Sequence, residues 1–317
     1  MRILVSGAAG FLGTNLSLRL LEEGHEVIGI DNLYSGTERN LKQLKAYKNF
    51  RFVNHDVRKP FEREAIGKVD QIYHLACPAS PPIYQRDHQF TFDSSVDGIR
   101  NALAFARENN AVMLFSSTSE VYGNPKVHPQ REDYYGNVNS IGERSCYDEG
   151  KRAAETCCFI AHKTGVDVRI VRIFNTYGPF MDPRDGRVVS NFINQALKNE
   201  PITIYGDGNQ TRSFCYVSDL IEGLIRLMNC RKTRQEDDYF GPINLGNPDE
   251  FRVKELADKI LKLIPNSKSR IDYLQLPSDD PVMRKPDITK ARTILGWEPK
   301  IGLDEGLRRT INYFKTL

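Results

Sequence analysis

The feature that most constrains the fold lies at the start of the chain, where a short apolar strand runs into a glycine-rich loop. Arg2–Val5 is predicted to be the strand, and it leads into Ser6-Gly7-Ala8-Ala9-Gly10-Phe11-Leu12-Gly13. Glycine lets the chain turn tightly and lets backbone approach a ligand closely. A helix that starts in such a loop offers free N–H groups and the positive end of its dipole to phosphate. The segment therefore predicts a site for the pyrophosphate of a dinucleotide.

An acidic residue follows at the end of the next predicted strand, Glu26–Ile30. Asp31 is placed to accept hydrogen bonds from the adenosine ribose hydroxyls, and it would repel a 2′-phosphate, so NAD is expected rather than NADP. Asp56 and Val57, after the third strand, are expected to contact adenine. A glycine-rich tight turn with a surface Asp31 and a solvated Asp56 is the structural alternative. The expected cofactor contacts also include Gly7, Gly10, Phe11, Leu12, Gly13, Asn32, Ser35, Gly36, Leu75 and Ala76.

Strand-length apolar runs continue to alternate with helical patterns along the first half of the chain. The further strands are predicted at Phe50–Asn54, Gln71–Leu75, Val112–Ser116 and Val168–Phe174, and the helices at Leu12–Glu23, Ser94–Glu108 and Tyr147–Lys163. This alternation favours an α/β fold, a Rossmann-type doubly wound parallel sheet with a smaller C-terminal substrate-binding lobe. The expected domains are 1–176 for NAD binding, with a returning segment near 211–246, and 177–210 with 247–317 for the second lobe.

Composition narrows the class of protein. The chain has 317 residues, of which 40% are hydrophobic and 27% charged, and its net charge is +3. Such a small net charge gives no reason to expect nucleic-acid or membrane partners. No apolar run approaches the ~20 residues of a membrane helix, and the N-terminus is predicted to be a strand rather than a signal peptide. The six cysteines lack metal-ligand spacing, so we expect no metal, reduced thiols and a cytoplasmic location.

A tyrosine and a lysine four residues apart start one of the predicted helices. At this spacing Tyr147 and Lys151 lie on one helix face. A nearby ammonium and a positive nicotinamide ring would both favour the phenolate that a tyrosine base requires. Thr118 follows a buried strand, at the sheet edge where open α/β folds bind ligands, so its hydroxyl can bond a reacting substrate oxygen. The alternatives are a chance spacing on an exposed helix and a capping Ser/Thr cluster.

The glycine spacing, Thr118, Tyr147 and Lys151 together resemble the extended short-chain dehydrogenase/reductase family that modifies nucleotide sugars. The resemblance runs along nearly the whole chain and places these three residues on the catalytic triad of that family. It implies a redox cycle that starts with hydride removal from C4 of the sugar. The family also implies a homodimer built on helices near Ser94–Glu108 and Glu143–His162.

The residues after Thr118 indicate which member of the family the chain resembles. Dehydratases typically carry an Asp-Glu pair there, whereas this chain has Ser119-Glu120, as UDP-glucuronate decarboxylases do. Similar segments are 74–82, 146–152, 185–192 and 210–214, together with Asp279-Asp280-Pro281, Arg284, Pro286-Asp287-Ile288 and Leu295-Gly296-Trp297. The resemblance implies conversion of UDP-glucuronate to UDP-xylose through a UDP-4-keto intermediate, with Glu120 assisting protonation of C5. A 4-epimerase, a C4 dehydrogenase and a ketopentose-releasing decarboxylase remain open, as does a non-catalytic NAD-binding regulator.

One segment departs from that resemblance. UDP-xylose-forming decarboxylases often carry Lys-Thr-x-Lys-Thr before the helix that follows Tyr84, whereas this chain reads Phe90-Thr91-Phe92-Asp93-Ser94. We therefore expect Asp93 to place an anion where a cation near the substrate carboxylate would be.

The UDP-sugar substrate is expected to contact polar and aromatic residues of the second half of the chain. Arginine forks suit phosphates, and the resemblance places Arg212 and Arg284 at the diphosphate. Tyr205 is expected to lie against uracil or to fill core. The full set of expected substrate contacts is Ser119, Asn175, Arg187, Asn191, Tyr205, Arg212 and Arg284.

Overall fold

A seven-stranded parallel sheet forms the centre of the protein. The structure is a computed structural model that describes residues 1–230, 241–275 and 283–317. Its strands are β1 Arg2–Ser6, β2 Glu26–Asp31, β3 Phe50–Asn54, β4 Gln71–His74, β5 Val112–Thr118, β6 Val168–Ile173, β7 Thr176–Tyr177, β8 Ile202–Tyr205, β9 Thr211–Ser213, β10 Cys215–Tyr216, β11 Ile243–Leu245, β12 Glu250–Arg252, β13 Ile271–Leu274 and β14 Met283–Arg284. The large sheet has the order β11-β6-β5-β4-β1-β2-β3. The predicted doubly wound α/β fold is confirmed.

Helices cover both faces of the sheet and build the second lobe. They are α1 Phe11–Glu22, α2 Glu38–Lys45, α3 Arg63–Ile66, α4 Pro81–Tyr84, α5 His88–Asn109, α6 Ser145–Lys163, α7 Val188–Lys198, α8 Val217–Asn229, α9 Val253–Leu263, α10 Thr289–Leu295 and α11 Leu303–Phe314. A 3₁₀ turn spans Ser119–Tyr122. In the described residues no helix is both long and apolar enough to cross a membrane, and no two cysteines form a disulfide.

The apolar strand runs are explained by burial on both faces of the sheet. Successive side chains of a strand point to opposite faces. Ile3 and Val5 accordingly pack into one hydrophobic cluster, whereas Leu4 packs into another on the opposite face. All three side chains are fully buried. A parallel sheet covered on both faces requires this pattern of continuous apolar residues.

Several predicted boundaries differ from those observed, and two of these differences concern elements that line the cleft. α5 starts at His88 rather than Ser94, because the Asp87 carboxylate caps the helix by accepting the backbone N–H of Phe90 at 2.9 Å. β5 continues beyond Ser116 to Thr118, in parallel register with β6. The longer strand carries Thr118 to the edge of the sheet, where it reaches the cleft.

The strand order places a ligand site between β1 and β4. β2 and β3 lie on one side of β1, whereas β4, β5 and β6 lie on the other. In open α/β sheets a crevice forms at this reversal, outside the carboxyl ends of the strands. After α8 the chain returns to the sheet, since β11 pairs with β6. The exact division into two lobes remains a prediction.

Short strands in the second lobe bring distant cations together. β9 pairs with β12 and with β14, and the pairing with β14 sets Arg284 opposite Arg212. A second pair joins β8 to β13. The buried Trp297 anchors the C-terminal segment by donating its indole N–H to the Asp219 carbonyl at 2.8 Å. The predicted Asp279-Asp280-Pro281 segment lies outside the described residues.

Candidate active site

A cleft of about 1110 Å³ opens at the carboxyl ends of the central strands, between the sheet and the second lobe. It is lined by every residue that the sequence predicts to act in catalysis, cofactor binding or substrate binding, with the exception of Asp56. Residues from β1, β2, β5, α6 and the second lobe therefore meet around one cavity. Its described surroundings contain no cluster of metal-ligating side chains, and the same holds for the rest of the described chain.

The glycine loop after β1 packs too tightly for larger residues. Gly7 has φ of +74° and donates its N–H to the Ile30 carbonyl at 2.8 Å. A Cβ at Gly13 would collide with the carbonyl oxygen of Gly7. α1 starts directly after Gly10, whose position carries no capping side chain. The first N–H groups of α1 are thus directed at the cleft and suit a pyrophosphate.

Asp31 ends β2 beside this loop. Its carboxylate accepts the backbone N–H of Ala9 at 3.0 Å and of Leu33 at 2.8 Å. Burial raises the pKa of Asp31, and these two hydrogen bonds counteract that effect. Gly36 lies so close that a Cβ there would be 2.9 Å from both carboxylate oxygens. The loop therefore holds a carboxylate that can accept further hydrogen bonds from ribose hydroxyls.

Asp31→Ala should weaken NAD binding and narrow the preference for NAD over NADP. Hydrogen bonds to a charged group contribute about 1.5–3 kcal/mol, so we expect NAD affinity to fall roughly tenfold to a hundredfold. Titration calorimetry with both dinucleotides measures this change. Asp133→Asn, which alters an exposed ion pair with Arg131, is the control. Unchanged NAD affinity in a folded Asp31→Ala protein would contradict the assignment of the adenosine site.

Tyr147, Thr118 and Lys151 converge in the middle of the cleft. Burial and the nearby Cys77 raise the pKa of Tyr147, and the neighbouring Thr118 hydroxyl opposes this shift only in part. Lys151 donates from Nζ to the Ser116 carbonyl at 2.8 Å, and Nζ lies 5.9 Å from the centre of the Tyr147 ring. Burial lowers the pKa of Lys151. Tyr147 and Lys151 both face the cleft from α6, as their spacing predicts, but the protein alone does not favour the phenolate.

No local sequence pattern predicted the aromatic partner of Tyr147. Tyr84, at the end of α4, stacks on the Tyr147 ring with a centroid distance of 5.0 Å and an interplanar angle of 2°. This stacking fixes the plane of the Tyr147 ring. The buried Tyr84 hydroxyl has no hydrogen-bond partner within the described protein, and Tyr84 lines the cleft, so this hydroxyl can bond a ligand.

Glu120 lies between arginines from separate parts of the chain. Its Oε2 contacts Arg144 at 2.6 Å and Arg284 at 3.1 Å. Burial alone would raise the pKa of Glu120, but Arg284, Arg144 and Arg212 outweigh it and hold the pKa below its usual range. Glu120 is therefore ionised at neutral pH. Arg144 was not predicted, because nothing in its local sequence marks it as facing the 3₁₀ turn after β5.

The hydrogen bonds of Arg284 show a structural role that the sequence did not predict. Its guanidinium donates to the Ser119 carbonyl, to Glu120 and, at 3.0 Å, to the Gly123 carbonyl. The side chain is only 1% exposed. These bonds hold the 3₁₀ turn that carries Glu120, and the diphosphate contact implied by the resemblance stays a prediction.

The other predicted substrate residues also line the cleft, and they differ in their hydrogen bonding and in their exposure. Arg187 pairs with Asp185, which the sequence did not single out, through a 2.9 Å bond from Nη2. Asn191 donates from Nδ2 to the Gly186 carbonyl at 2.9 Å. Tyr205 is 44% exposed, which rules out the expectation that it fills core. Asn175 and Arg212 line the same cleft.

Two acidic residues that were expected near the ligands, Asp56 and Asp93, do not line the cleft. Asp56 does not line the cleft, because its carboxylate binds Arg58, with Nη2 at 2.6 Å, while Val57 alone reaches the cavity. Asp93 is also absent from the lining, and it accepts a hydrogen bond from Gln89 at 2.7 Å. The expectation that Asp93 places an anion beside the substrate carboxylate is therefore wrong.

Asp148, next to Tyr147, is a buried carboxyl that the sequence did not reveal. Its Oδ1 has no hydrogen-bond partner within the described protein, and its Oδ2 lies 3.9 Å from Nε of Arg144. Burial and the negative charge of Glu120 raise the pKa of Asp148 to about 8, although Arg144 and Arg284 oppose the shift. Asp148 is therefore largely protonated at neutral pH.

Asp148→Asn should stabilise the protein at pH 8 and change it little at pH 5. The unfolded side chain loses its proton near pH 4, whereas the folded one keeps it up to about pH 8. The fold consequently loses stability as pH rises through this window, by up to about 1.4 kcal/mol per pH unit. The Asp148→Asn variant has no carboxyl to ionise at this position, so its stability should not fall in this way. Thermal melts of both proteins at the two pH values test the prediction, with Asp133→Asn as an exposed control; equal pH dependence would contradict it.

Comparison with known proteins identifies the family. Residues 3–246, more than half of the chain, match the NAD dependent epimerase/dehydratase family. The chain belongs to this family. Its members are NAD-dependent, and the glycine loop, Asp31 and the spare donors of Lys151 fit that cofactor.

Individual relatives agree with the resemblance stated from the motifs. The chain is 51% identical over 314 residues to UDP-glucuronic acid decarboxylase 1 of Danio rerio. The aligned region covers 99% of this chain and 72% of that protein. It is 53% identical over 309 residues to UDP-glucuronic acid decarboxylase 5 of Arabidopsis thaliana, covering 97% and 87%. The predicted resemblance to UDP-glucuronate decarboxylases is confirmed.

Solved structures share the fold over the whole chain. A UDP-glucuronic acid 4-epimerase from Bacillus cereus, in complex with UDP-glucuronic acid and NAD, matches with a TM-score of 0.88 and 28% identity, covering 100% of this chain and 99% of that one. A UDP-glucose 4-epimerase from Thermotoga maritima with UDP-glucose gives 0.87 and 30%, with the same coverage.

Proposed function

We propose that the protein decarboxylates UDP-glucuronate to UDP-xylose with a bound NAD that is regenerated in each cycle. The observation that carries this proposal is the set of arginines around Glu120, directly after Thr118. Arg144 and Arg284 bind the Glu120 carboxylate, and Arg212 helps to lower its pKa. Arginine forks suit carboxylates, and C6 of a glucuronate supplies one. The identity of about 50% to the decarboxylases supports the same substrate.

Thr118 and Tyr147 are proposed to hold the 4-hydroxyl of the sugar. Tyr147 accepts its proton, and the hydrogen bond from Thr118 stabilises the phenolate that this requires. Lys151, fixed by the Ser116 carbonyl, keeps two further N–H donors for the nicotinamide ribose. Bound NAD supplies the oxidation at C4 and the later reduction of the ketone, and its positive ring favours the phenolate. Positioning of these groups is the main contribution of the protein.

Loss of CO₂ follows from the 4-ketone. The C5–C6 bond breaks, its electron pair enters an enolate between C4 and C5, and Thr118 and Tyr147 stabilise the enolate oxygen. C5 then takes a proton. Glu120 is ionised and held by two arginines, so we infer that it orients a water for this step rather than donating its own proton. Ser119 leaves no second acid next to Thr118, which disfavours dehydration.

The test offers the purified protein UDP-glucuronate and, separately, UDP-glucose. We expect CO₂ and a UDP-pentose from the first sugar only, with no lasting NADH absorbance. A UDP-ketopentose with accumulating NADH would show the half-reaction instead. The alternative of a 4-epimerase is favoured by the structural likeness to the Bacillus cereus enzyme; UDP-galacturonate formed without CO₂ would support it and overturn the decarboxylase.

The proposal includes a cytoplasmic homodimer, with a UDP-sugar rather than nucleic acid or a membrane as partner. α5 and α6 pack side by side and expose Phe92, Phe159 and Ile160, which are 39%, 48% and 57% accessible. Such apolar residues on neighbouring helices suit an isologous contact between two copies. Light scattering during gel filtration should give the mass of a dimer, and Ile160→Glu should shift it to a monomer.

A further inference from the structure

Three side chains stack on one another beside the adenosine end of the cleft. The rings of Tyr34 and Phe90 have a centroid distance of 4.0 Å and an interplanar angle of 22°. The guanidinium carbon of Arg58 lies 4.2 Å from the centre of the Phe90 ring. Neither Phe90 nor Arg58 was assigned a role from the sequence. We call Tyr34, Phe90 and Arg58 the cofactor clasp.

Acidic residues hold the cation of the clasp in place. Asp56 accepts hydrogen bonds from Arg58, with Nη2 at 2.6 Å and Nε at 3.1 Å. This hydrogen bonding is the main cause that raises the pKa of Arg58, with smaller contributions from Asp93 and Asp87. Asp87 also fixes Phe90 by capping α5. The anion at Asp93 therefore supports the clasp instead of facing the sugar.

The position of the clasp links it to the cofactor. Tyr34 and Phe90 line the cleft together with Asp31 and Val57, the residues expected at ribose and adenine. Tyr34 belongs to the loop after β2, Arg58 to the loop after β3, and Phe90 to the first turn of α5. Arg58 does not itself line the cleft but packs on the Phe90 ring, so three separate segments are joined beside this end of the cavity.

We propose that the cofactor clasp closes the adenosine end of the cleft and retains bound NAD through successive turnovers. A dinucleotide leaving at this end has to separate the stacked rings of Tyr34 and Phe90, and Arg58 supports Phe90 through its cation–π contact. Retention matters because, under the proposed function, the NADH that forms when C4 of the sugar is oxidised has to reduce the ketone before the cofactor dissociates. Arg58 supplies a cation to this stack from the loop after β3.

The test measures release of NAD from the holoprotein without any sugar. The protein is loaded with radiolabelled NAD, diluted into excess unlabelled NAD, and sampled by rapid filtration. Phe90→Ala and Arg58→Ala should each release NAD about tenfold faster, as expected for loss of a desolvated cation–π contact and a ring stack. Phe90→Tyr, which keeps the ring, should release it at the native rate. Lys45→Ala removes a cation–π contact with Phe52 at 5.6 Å, remote from the cleft, and is the matched control.

If folded Phe90→Ala and Arg58→Ala proteins release NAD at the native rate, the proposal that the cofactor clasp retains NAD is wrong. If Phe90→Ala fails to fold, Phe90→Leu keeps the apolar volume without the ring and should still release NAD faster; native release from it overturns the proposal equally. The measurement needs no decarboxylase activity, so a wrong substrate assignment would leave its outcome intact.

Discussion

Tyr147→Phe should reduce turnover of UDP-glucuronate by roughly a thousandfold or more while NAD remains bound. The change removes one oxygen, and with it the proton acceptor that lies in hydrogen-bonding reach of Thr118. Positioned proton transfer typically contributes about 10²–10⁴-fold. The ring and its stacking on Tyr84 at 5.0 Å are kept, so the fold and the cofactor site should be unaffected.

Initial rates of CO₂ release, measured alongside the NAD content of the protein, test this expectation. Tyr47→Phe is the matched control, because the Tyr47 hydroxyl makes only a long, exposed contact of 3.5 Å with Glu22 and lies outside the cleft. Its rate should equal that of the unchanged protein. Normal turnover by Tyr147→Phe would show that another group takes the proton and that the triad is misassigned.

Arg284→Ala should both destabilise the fold and disable catalysis. The guanidinium is almost fully buried and bonds the Ser119 carbonyl, the Gly123 carbonyl and Glu120. Removing one partner of a buried ion pair typically costs about 3–5 kcal/mol. The 3₁₀ turn after β5 would lose its anchor, so Glu120 would no longer be fixed beside Thr118.

Urea unfolding and steady-state kinetics on the same variant separate the two effects. Arg131→Ala removes an equally close but exposed ion pair, at 2.9 Å from Asp133, and should change stability by less than about 1 kcal/mol. If Arg284 served only the diphosphate, stability would stay native and the KM alone would rise. That result would contradict the anchoring role that the hydrogen bonds indicate.

The sheet could be predicted because its signals are local. Each buried strand is a short apolar run, and the glycine loop, Asp31 and the Tyr147–Lys151 spacing each depend on residues near one another in sequence. The strand order β11-β6-β5-β4-β1-β2-β3 was not predicted, because pairing between distant strands leaves no local signal. The first turns of α5 were not predicted, because the polar residues that follow Asp87 interrupt the apolar periodicity from which helices were predicted.

The parts of the site that escaped prediction depend on long-range contacts. Arg284 meets the turn at Ser119 across 165 positions of sequence, and no local pattern reports that distance. Arg144, Tyr84 and Asp148 have ordinary sequence surroundings, and only the packing of α4 and α6 brings them to Tyr147 and Glu120. Asp93 was misplaced for a related reason, because the sequence cannot show which side of α5 faces the cleft.

The most direct test of the proposed reaction is the mass of the product formed in D₂O, from UDP-glucuronate and the holoprotein with no free NAD. The mechanism predicts UDP-xylose that carries a solvent deuterium at C5, since the enolate takes its proton from water, with the cofactor still oxidised afterwards. UDP-glucuronate recovered without loss of CO₂, from protein that holds NAD, would contradict the proposed decarboxylation and leave the fold and cofactor assignments standing.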